Sequence, residues 1–355
     1  MDHATILKIL ELARWAPSGD NTQPWRFEIV APDQIVVHGH DTRDWCVYDF
    51  DGHASHMAHG ALLETLRIAA TGFGQEATWT RRPESPDATP VFDVRLTPCP
   101  APSAHELFPY ITRRVVQRRP MSAAPAGPEA LAALATAVGP RYELRYFSTW
   151  SQKIQVAGLL WRNAHIRLTC PEAYAVHKEI IEWGARFSKD RIPQHAVGVD
   201  PATAVLMRWV MGDWRRVAFF NRYLFGTVAP RIQLDLLPAL MCAGHVLLIP
   251  RHPLASVADY VDAGIAMQRL WLTVTRLGLH LQPEMTPVIF RWYANASRSI
   301  SAQEGIDASA ARLAREFEGL AGANPATPFA FFCRIGRSTP PTSRSIRKDL
   351  DELIA

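Results

Sequence analysis

Ala13-Arg14-Trp15-Ala16-Pro17-Ser18-Gly19-Asp20-Asn21-Thr22-Gln23-Pro24-Trp25-Arg26-Phe27 joins a helix to a strand through a small, polar turn. Upstream, Ala4–Trp15 carries Ile6, Ile9, Leu10 and Ala13 at helical spacing, which predicts an amphipathic helix with one buried face. Pro17 stops that helix. Ser18, Gly19, Asp20 and Asn21 are residues that bend the chain and leave backbone N–H groups open to the edge of a flat ligand. Gln23-Pro24-Trp25 then leads into an alternating strand, Trp25–Val30.

Working outward, the pattern alternates between strands and helices. Short strands are expected at Ile35–His38, Phe92–Leu96, Tyr142–Phe147, His245–Pro250, Pro287–Arg291 and Phe329–Ile335. Helices are expected at Ala54–Gly72, His105–Arg118, Pro128–Val138, Gln152–Ala164 and Val257–Leu277, with several more between residues 170 and 240. Thr97–Ala104 is proline-rich and is the best candidate boundary. A long helix, a glycine turn and a strand occur twice. Ser55–Trp79 contains "GALLETLRIAATGFG", and Tyr260–Pro283 contains "GIAMQRLWLTVTRLGLHLQP". This weak self-similarity is compatible with a duplicated domain or with two unrelated core helices.

The bulk numbers exclude several classes. At 355 residues, 48% hydrophobic and 20% charged, the chain has the composition of a globular protein with about two cores. A net charge of +4 is too mild to indicate nucleic acid. No apolar run reaches the roughly 20 residues a membrane span needs, and no secretory leader is expected. Cys46, Cys99, Cys170, Cys242 and Cys333 are odd in number and scattered, which argues against a disulfide framework or structural zinc and fits the reduced cytosol. A dinucleotide fingerprint, a P-loop and a nucleophilic triad are all missing. Basic residues crowd two places, Arg113, Arg114, Arg118 and Arg119 in one, and Arg334, Arg337, Arg344, Arg347 and Lys348 in the other. They read either as solvated faces or as two halves of one phosphate grip, since guanidinium forks match phosphate oxygens.

The stretch quoted first resembles the "A-x-x-A-P-S-x-x-N-x-Q-P-W-x-F" signature of the FMN-dependent nitroreductase superfamily. That family's phosphate-gripping "R-R-S-x-R" element is missing ahead of it. A similar run, Arg113-Arg114-Val115-Val116-Gln117-Arg118-Arg119-Pro120, opens the second half instead, and the second half has no proline-serine turn. The halves are complementary. Together with Asp49–Ala70, this arrangement resembles the Acg-type and MoeY-like tandem nitroreductases. The resemblance implies an α+β nitroreductase-like fold, internally duplicated as an intrachain pseudo-dimer, with residues 1–100 as repeat 1 and residues 101–355 as repeat 2. A helical lid would occupy about 170–240.

By the same resemblance, one FMN lies between the halves of a monomer. Pro17, Ser18, Gly19 and Asn21 would meet the isoalloxazine rim, and Arg113, Arg114, Arg118, Arg344 and Arg347 the phosphate and ribityl end. Pro283 and Glu284 would lie by the redox edge. The implied activity is two-electron transfer between NAD(P)H and a nitroaromatic, quinone or related flat substrate in the cytoplasm. No residue stands out as catalytic. The family's polar residues before the "A-G-H-V-L-L-I" strand are replaced by Leu236, Leu237, Pro238 and Ala239, leaving Arg231 or Gln233 as substitutes. That departure supports a rival reading, a non-catalytic or flavin-sequestering protein on the same fold.

Two further clusters have plain alternatives. His53, His56 and His59 drift around a helix instead of converging on one point, so no metal site is expected. They read as a helix-start surface with one or two hydrogen-bonded imidazoles. The run "VLMRWVMGDWRRVAFFNRYLFG" is apolar yet studded with arginine, and reads as a lid, a membrane-surface helix or core.

Overall fold

The computed structural model describes residues 2–99 and 103–355. The proline-rich boundary therefore lies partly outside the described residues.

Two four-stranded antiparallel sheets form the frame. The first contains β1 (Trp25–Ala31), β2 (Gln34–Gly39), β3 (Gln75–Arg81) and β4 (Val91–Pro98), in the order β1-β2-β4-β3. The second contains β5 (Tyr142–Phe147), β6 (Gly244–Pro250), β7 (His280–Pro283) and β8 (Phe331–Gly336), in the order β5-β6-β8-β7. Matched in chain order, the two sheets have the same topology. The duplication expected from sequence is therefore present in the strand order, and the α+β class with it.

Each half starts with a short helix, α1 (His3–Ala13) or α3 (Pro128–Val138). Each also places a long helix between its second and third strands, α2 (His53–Thr71) in one and α8 (Val257–Arg276) in the other. These two cross at Gly60 and Gly264. A methyl group on Gly60 would overlap the Val261 carbonyl oxygen, and one on Gly264 would overlap that of Met57. After each long helix the chain turns at a glycine with positive φ, Gly74 at 66° and Gly278 at 69°. Only glycine takes that conformation without steric cost.

The halves differ between their first two strands. β1 and β2 are joined by a tight turn, whereas β5 and β6 are separated by α4 (Trp150–Thr169), α5 (Pro171–Ile180), α6 (Pro201–Val210) and α7 (Trp214–Tyr223). Two more helices, α9 (Thr286–Asn295) and α10 (Ile306–Ala321), precede β8.

The cores interlock. Val257, Val261, Ile265 and Leu272 of α8 belong to the first half's apolar cluster, while Met57 and Ala61 of α2 belong to the second half's. Leu107, Ile111 and Leu353 also pack with the first half. The tail returns to it so closely that Ile354 bridges Phe27 of β1.

Three sequence expectations are corrected. His105–Arg118 is not a helix; one 3-10 turn, Phe108–Tyr110, precedes an extended run in which Val116 bridges Leu281 of β7. Pro109 and the β-branched Ile111, Thr112, Val115 and Val116 oppose a helix there. Pro287–Arg291 is helical, not extended. Its residues are buried all round, so no helical stripe marks them in the sequence. His56 and His59 are not at the surface: α2 is buried by α8 and the first sheet, and both rings bond backbone carbonyls, Asp87 at 2.8 Å and Pro24 at 2.8 Å.

Candidate functional site

The turn after α1 is unusually constrained. Asp20, Asn21 and Gln23 all have positive φ, at 50°, 67° and 51°, a conformation that costs a non-glycine residue and is kept only where the surroundings enforce it. The Ser18 hydroxyl accepts from the Gln23 N–H at 2.9 Å. Asn21 donates to the carbonyls of Lys189 (3.1 Å) and Ile346 (3.2 Å) and accepts from Arg347 at 2.8 Å. Gln23 donates to Lys189 at 2.8 Å and accepts from the Lys348 N–H at 3.0 Å. The signature amides thus tie the turn to the tail and to the loop after α5. Asn21 still lines the cavity, but its amide is spent on the protein.

That turn forms one wall of a cavity of about 430 Å³ between the halves. Pro17, Ser18, Gly19 and Asn21 line it, as do Arg114, Arg118, Pro283, Glu284, Arg344 and Arg347. Ten of the eleven sequence-selected residues therefore share one space. Arg113 is the exception: it is exposed, with its guanidinium 5.1 Å from the Tyr110 ring.

The arginines divide into two groups. Arg114, Arg344 and Arg347 gather around Trp15 and Ala16. Arg114 donates to the Trp15 carbonyl at 2.8 Å, Arg347 to that of Ala16 at 3.0 Å, and Arg344 to that of Arg114 at 3.2 Å. None of the three pairs with a carboxylate among the described residues, and the Nε atoms of Arg114 and Arg344 are buried without a partner. Burial, then Arg347 and Arg344, pushes the Arg114 guanidinium well below its ordinary range. Burial and Arg344 bring Arg347 down to about 9. Uncompensated buried charge of one sign is costly, and an anion beside the cluster would offset that cost.

Arg118 faces the other way, toward Asp20. The Asp20 carboxyl makes no hydrogen bond among the described residues. Burial raises it to about 6, against the pull of Arg118 and with a push from Asp49. Arg118 is brought down to about 10 by burial, which outweighs Asp20. Behind it, Arg334 donates to the Arg118 carbonyl at 2.7 Å and to Glu284 at 2.9 Å, and Glu284 meets His245 Nδ1 at 2.7 Å. The Glu284 carboxylate is thereby consumed in a buried ionic chain and is not free for a ligand.

The far wall comes from the inserted helices. A π-helical turn, Ile232–Leu236, carries Leu234 and Asp235 to the cavity, and Asp235 pairs with Arg167 at 3.1 Å. Tyr48 and His177 meet at 3.0 Å, and burial holds His177 down at about 3. Met207 and Met211 of the α6–α7 hairpin close this side. Arg231 and Gln233 do not substitute for the missing polar residues. Arg231 lies 3.7 Å over the Trp161 ring in a separate cleft, and Gln233 bonds Asp200 at 2.6 Å. Among the described residues the one cluster of three potential metal ligands is the exposed Asp349, Asp351 and Glu352, outside this cavity.

Sequence reasoning missed Asp20, Arg167, Asp235 and the Tyr48–His177 pair as site residues; of these, Arg167, His177 and Asp235 reach the cavity only through the insertion. Arg334 counted there only as one of the tail's basic residues. Its place in a strand flanking Glu284 was the available signal.

The profile of the nitroreductase family matches residues 1–44, the segment that holds the turn. Over its length the chain is 24% identical to an uncharacterised Mycobacterium tuberculosis (strain CDC 1551 / Oshkosh) protein across 351 residues. That match covers 96% of this chain and 47% of the relative, so the chain spans about half the length of the curated relative it matches. Among solved structures, this chain is similar to the FMN- and NADPH-dependent nitroreductase NfnB from Sphigopyxis sp. strain HMH, with TM-score 0.39 and 14% identity over 71% of this chain and 98% of that one. It is similar also to a nitroreductase with bound FMN from Desulfitobacterium hafniense DCB-2, with TM-score 0.36 and 15% identity over 71% and 99%.

Proposed function

We propose that the cavity binds one FMN per chain and that the protein is a flavin-dependent oxidoreductase of the nitroreductase type. The observation that carries this reading is the acid-free arginine cluster beside the signature turn. Arg114, Arg344 and Arg347 would hold the phosphate, with the unpartnered Arg114 and Arg344 Nε atoms free to donate to it. The cavity volume is within the usual range for small-molecule sites, roughly 300–1,000 Å³. The donor set and the space both fit the group.

When bound, FMN would supply the two-electron chemistry, with NAD(P)H as donor and a nitroaromatic, quinone or related flat molecule as acceptor. The chain's own residues bind, orient and exclude water. Pro17, Ser18 and Gly19 would line the flat ring's edge, Pro283 would bound its reactive side, and Met207 and Met211 would keep solvent out. Asp20, held at about 6, keeps a proton exchangeable near neutral pH at the cavity wall. In this reading residues 1–100 and 101–355 are the two repeats of a tied pseudo-dimer, and the chain acts as a monomer in the cytoplasm.

A second reading, flavin sequestration without turnover, is favoured by one observation. Leu236, Leu237, Pro238 and Ala239 offer no polar side chain, and neither Arg231 nor Gln233 replaces it. One experiment separates the two. The purified protein should be yellow with one FMN per chain, and its flavin absorbance should bleach on anaerobic addition of NADPH. A yellow protein that NADPH and NADH leave unbleached would support sequestration. A colourless protein that takes up no added FMN would reject both.

A further inference from the structure

The α6–α7 hairpin has two apolar sides. Its inner side is anchored: Ala204 and Val217 are buried, Met207 and Met211 face the cavity, Trp214 lies 5.2 Å from the Tyr174 ring, and the Tyr174 hydroxyl donates to the Met211 carbonyl at 3.0 Å. The outer side would ordinarily be polar on a helix so placed. Here it is not. On α6, Val205, Leu206 and Trp209 recur at helical spacing and are exposed, Trp209 by 53%.

From Trp209 a row of aromatic rings runs on along α7. Trp209 meets Phe220 at 5.9 Å, Phe220 meets Phe219 at 6.2 Å, and Phe219 meets Tyr223 at 5.2 Å. Just beyond α7, Leu224 and Phe225 are exposed as well. Phe225 is 80% exposed although its backbone is held at φ 52°, where a bulky side chain is strained. A strained conformation that presents an aromatic ring to water gains nothing from the fold itself.

Charge indicates what covers this face. Residues 201–225 hold four arginines, Arg208, Arg215, Arg216 and Arg222, against one acid, Asp213. Arg216 lies 4.7 Å over the Trp209 ring and Arg222 5.4 Å over that of Tyr223, so positive charge is interleaved with the aromatic surface. A protein partner of mixed charge would not need this composition. A layer that is apolar below and anionic at its surface matches both features, with aromatic rings at the interface and guanidinium groups among the headgroups. No helix of the described residues is long and apolar enough to cross a membrane, so contact would be peripheral.

We propose that the outer face of the α6–α7 hairpin docks the protein on an anionic lipid surface. This stands apart from the flavin reading, since the outer face contributes nothing to the arginine cluster.

The test is co-sedimentation of the full chain with phosphatidylcholine vesicles, with and without phosphatidylserine, at low and high salt. The expected result is binding to the phosphatidylserine vesicles that weakens with salt. Trp209→Ser with Phe219→Ser and Phe225→Ser should lower partitioning about tenfold or more, while the thermal midpoint and flavin content stay unchanged. Arg215→Glu with Arg222→Glu, which leaves the rings in place, should also abolish the preference for phosphatidylserine. Equal binding to both vesicle types, no binding to either, or wild-type binding by the ring variant would overturn the proposal. So would light scattering that shows a lipid-free dimer dissociated by the ring variant, because a second copy would then own the face.

Discussion

Gly60 and Gly264 are counterparts. Each sits where its long helix crosses the other, and each lies against a backbone carbonyl three positions before its counterpart, Val261 for Gly60 and Met57 for Gly264. The contact is reciprocal, and it is where the two long helices approach closely enough to exclude a side chain on either. Because the obstructing atoms are backbone, no side chain can move aside for a methyl group.

Gly60→Ala and Gly264→Ala should therefore both destabilise the protein by about 1–3 kcal/mol, despite the roughly 1 kcal/mol that alanine gains over glycine in a helix. Gly319, in α10, has nothing near its missing methyl group. Gly319→Ala should stabilise by up to about 1 kcal/mol. Urea unfolding of the three variants checks the contrast. An unchanged midpoint in both crossing variants would show that the helices can separate freely.

The ionic chain His245–Glu284–Arg334 is fully buried, so removing its centre leaves two cationic groups without their acid. Glu284→Gln should cost about 3–5 kcal/mol, more than a surface ion pair contributes. Arg298→Gln, at the exposed pair with Asp51, is the control and should cost under about 1 kcal/mol.

Stability should peak at mildly acidic pH. Burial pulls His245 down, but Glu284 and Cys242 outweigh it and hold the ring at about 10. Its contribution is complete below its unfolded value of about 6.5 and is lost as pH rises through 10. His59 and His53 run the other way. Burial keeps both near 3, so protons bind the unfolded chain first as pH falls below about 6.5, and stability drops. Asp20, raised to about 6, offsets part of that loss as it protonates in the folded state. Unfolding free energies at about pH 4.5, 6.5 and 9 should show the maximum at the middle value. A monotonic rise from acid to base would contradict this assignment.

Arg114→Ala and Ser18→Trp should converge on one phenotype, a folded protein without flavin. The arginine loss removes a charge-assisted contact of roughly 1.5–3 kcal/mol, about a ten- to hundredfold loss of FMN affinity. Arg231→Ala, in the separate cleft, should leave affinity unchanged. Fluorescence titration with FMN measures all three. Full affinity in Arg114→Ala together with a loss in Arg231→Ala would move the phosphate site.

The turn was legible in the sequence because its chemistry is local. Proline ends a helix, small polar residues follow, and Gln23 and Trp25 mark the exit. The long helices α2 and α8 were equally plain, with glycines at matching places. The path of residues 105–119 was not, because Val116 is set by pairing with Leu281, 165 positions on, and the basic residues masked the β-branched ones. The arginine grouping was half visible. Sequence placed Arg114 and Arg118 together, but they face different parts of the cavity, Arg114 toward the Trp15 carbonyl and Arg118 toward Asp20 and the Ala196 carbonyl. The polar far wall was invisible because an insertion with no counterpart in the first half supplies most of it.

Arg347 donates to the carbonyl of Ala16 across 331 residues of chain. Ile354, farther on still, bridges Phe27. In kinetic terms, this clasp joins parts of the chain 331 residues apart, and contacts of such separation form late. As the chain leaves the ribosome, the first sheet, both long helices and the inserted hairpin all emerge before the clasp is made. The cavity must therefore pass through a stage in which the turn at Ser18 exists but lies open on the side that Asn21 later secures. Assembly of the site is a late fastening, not the seed around which these halves fold.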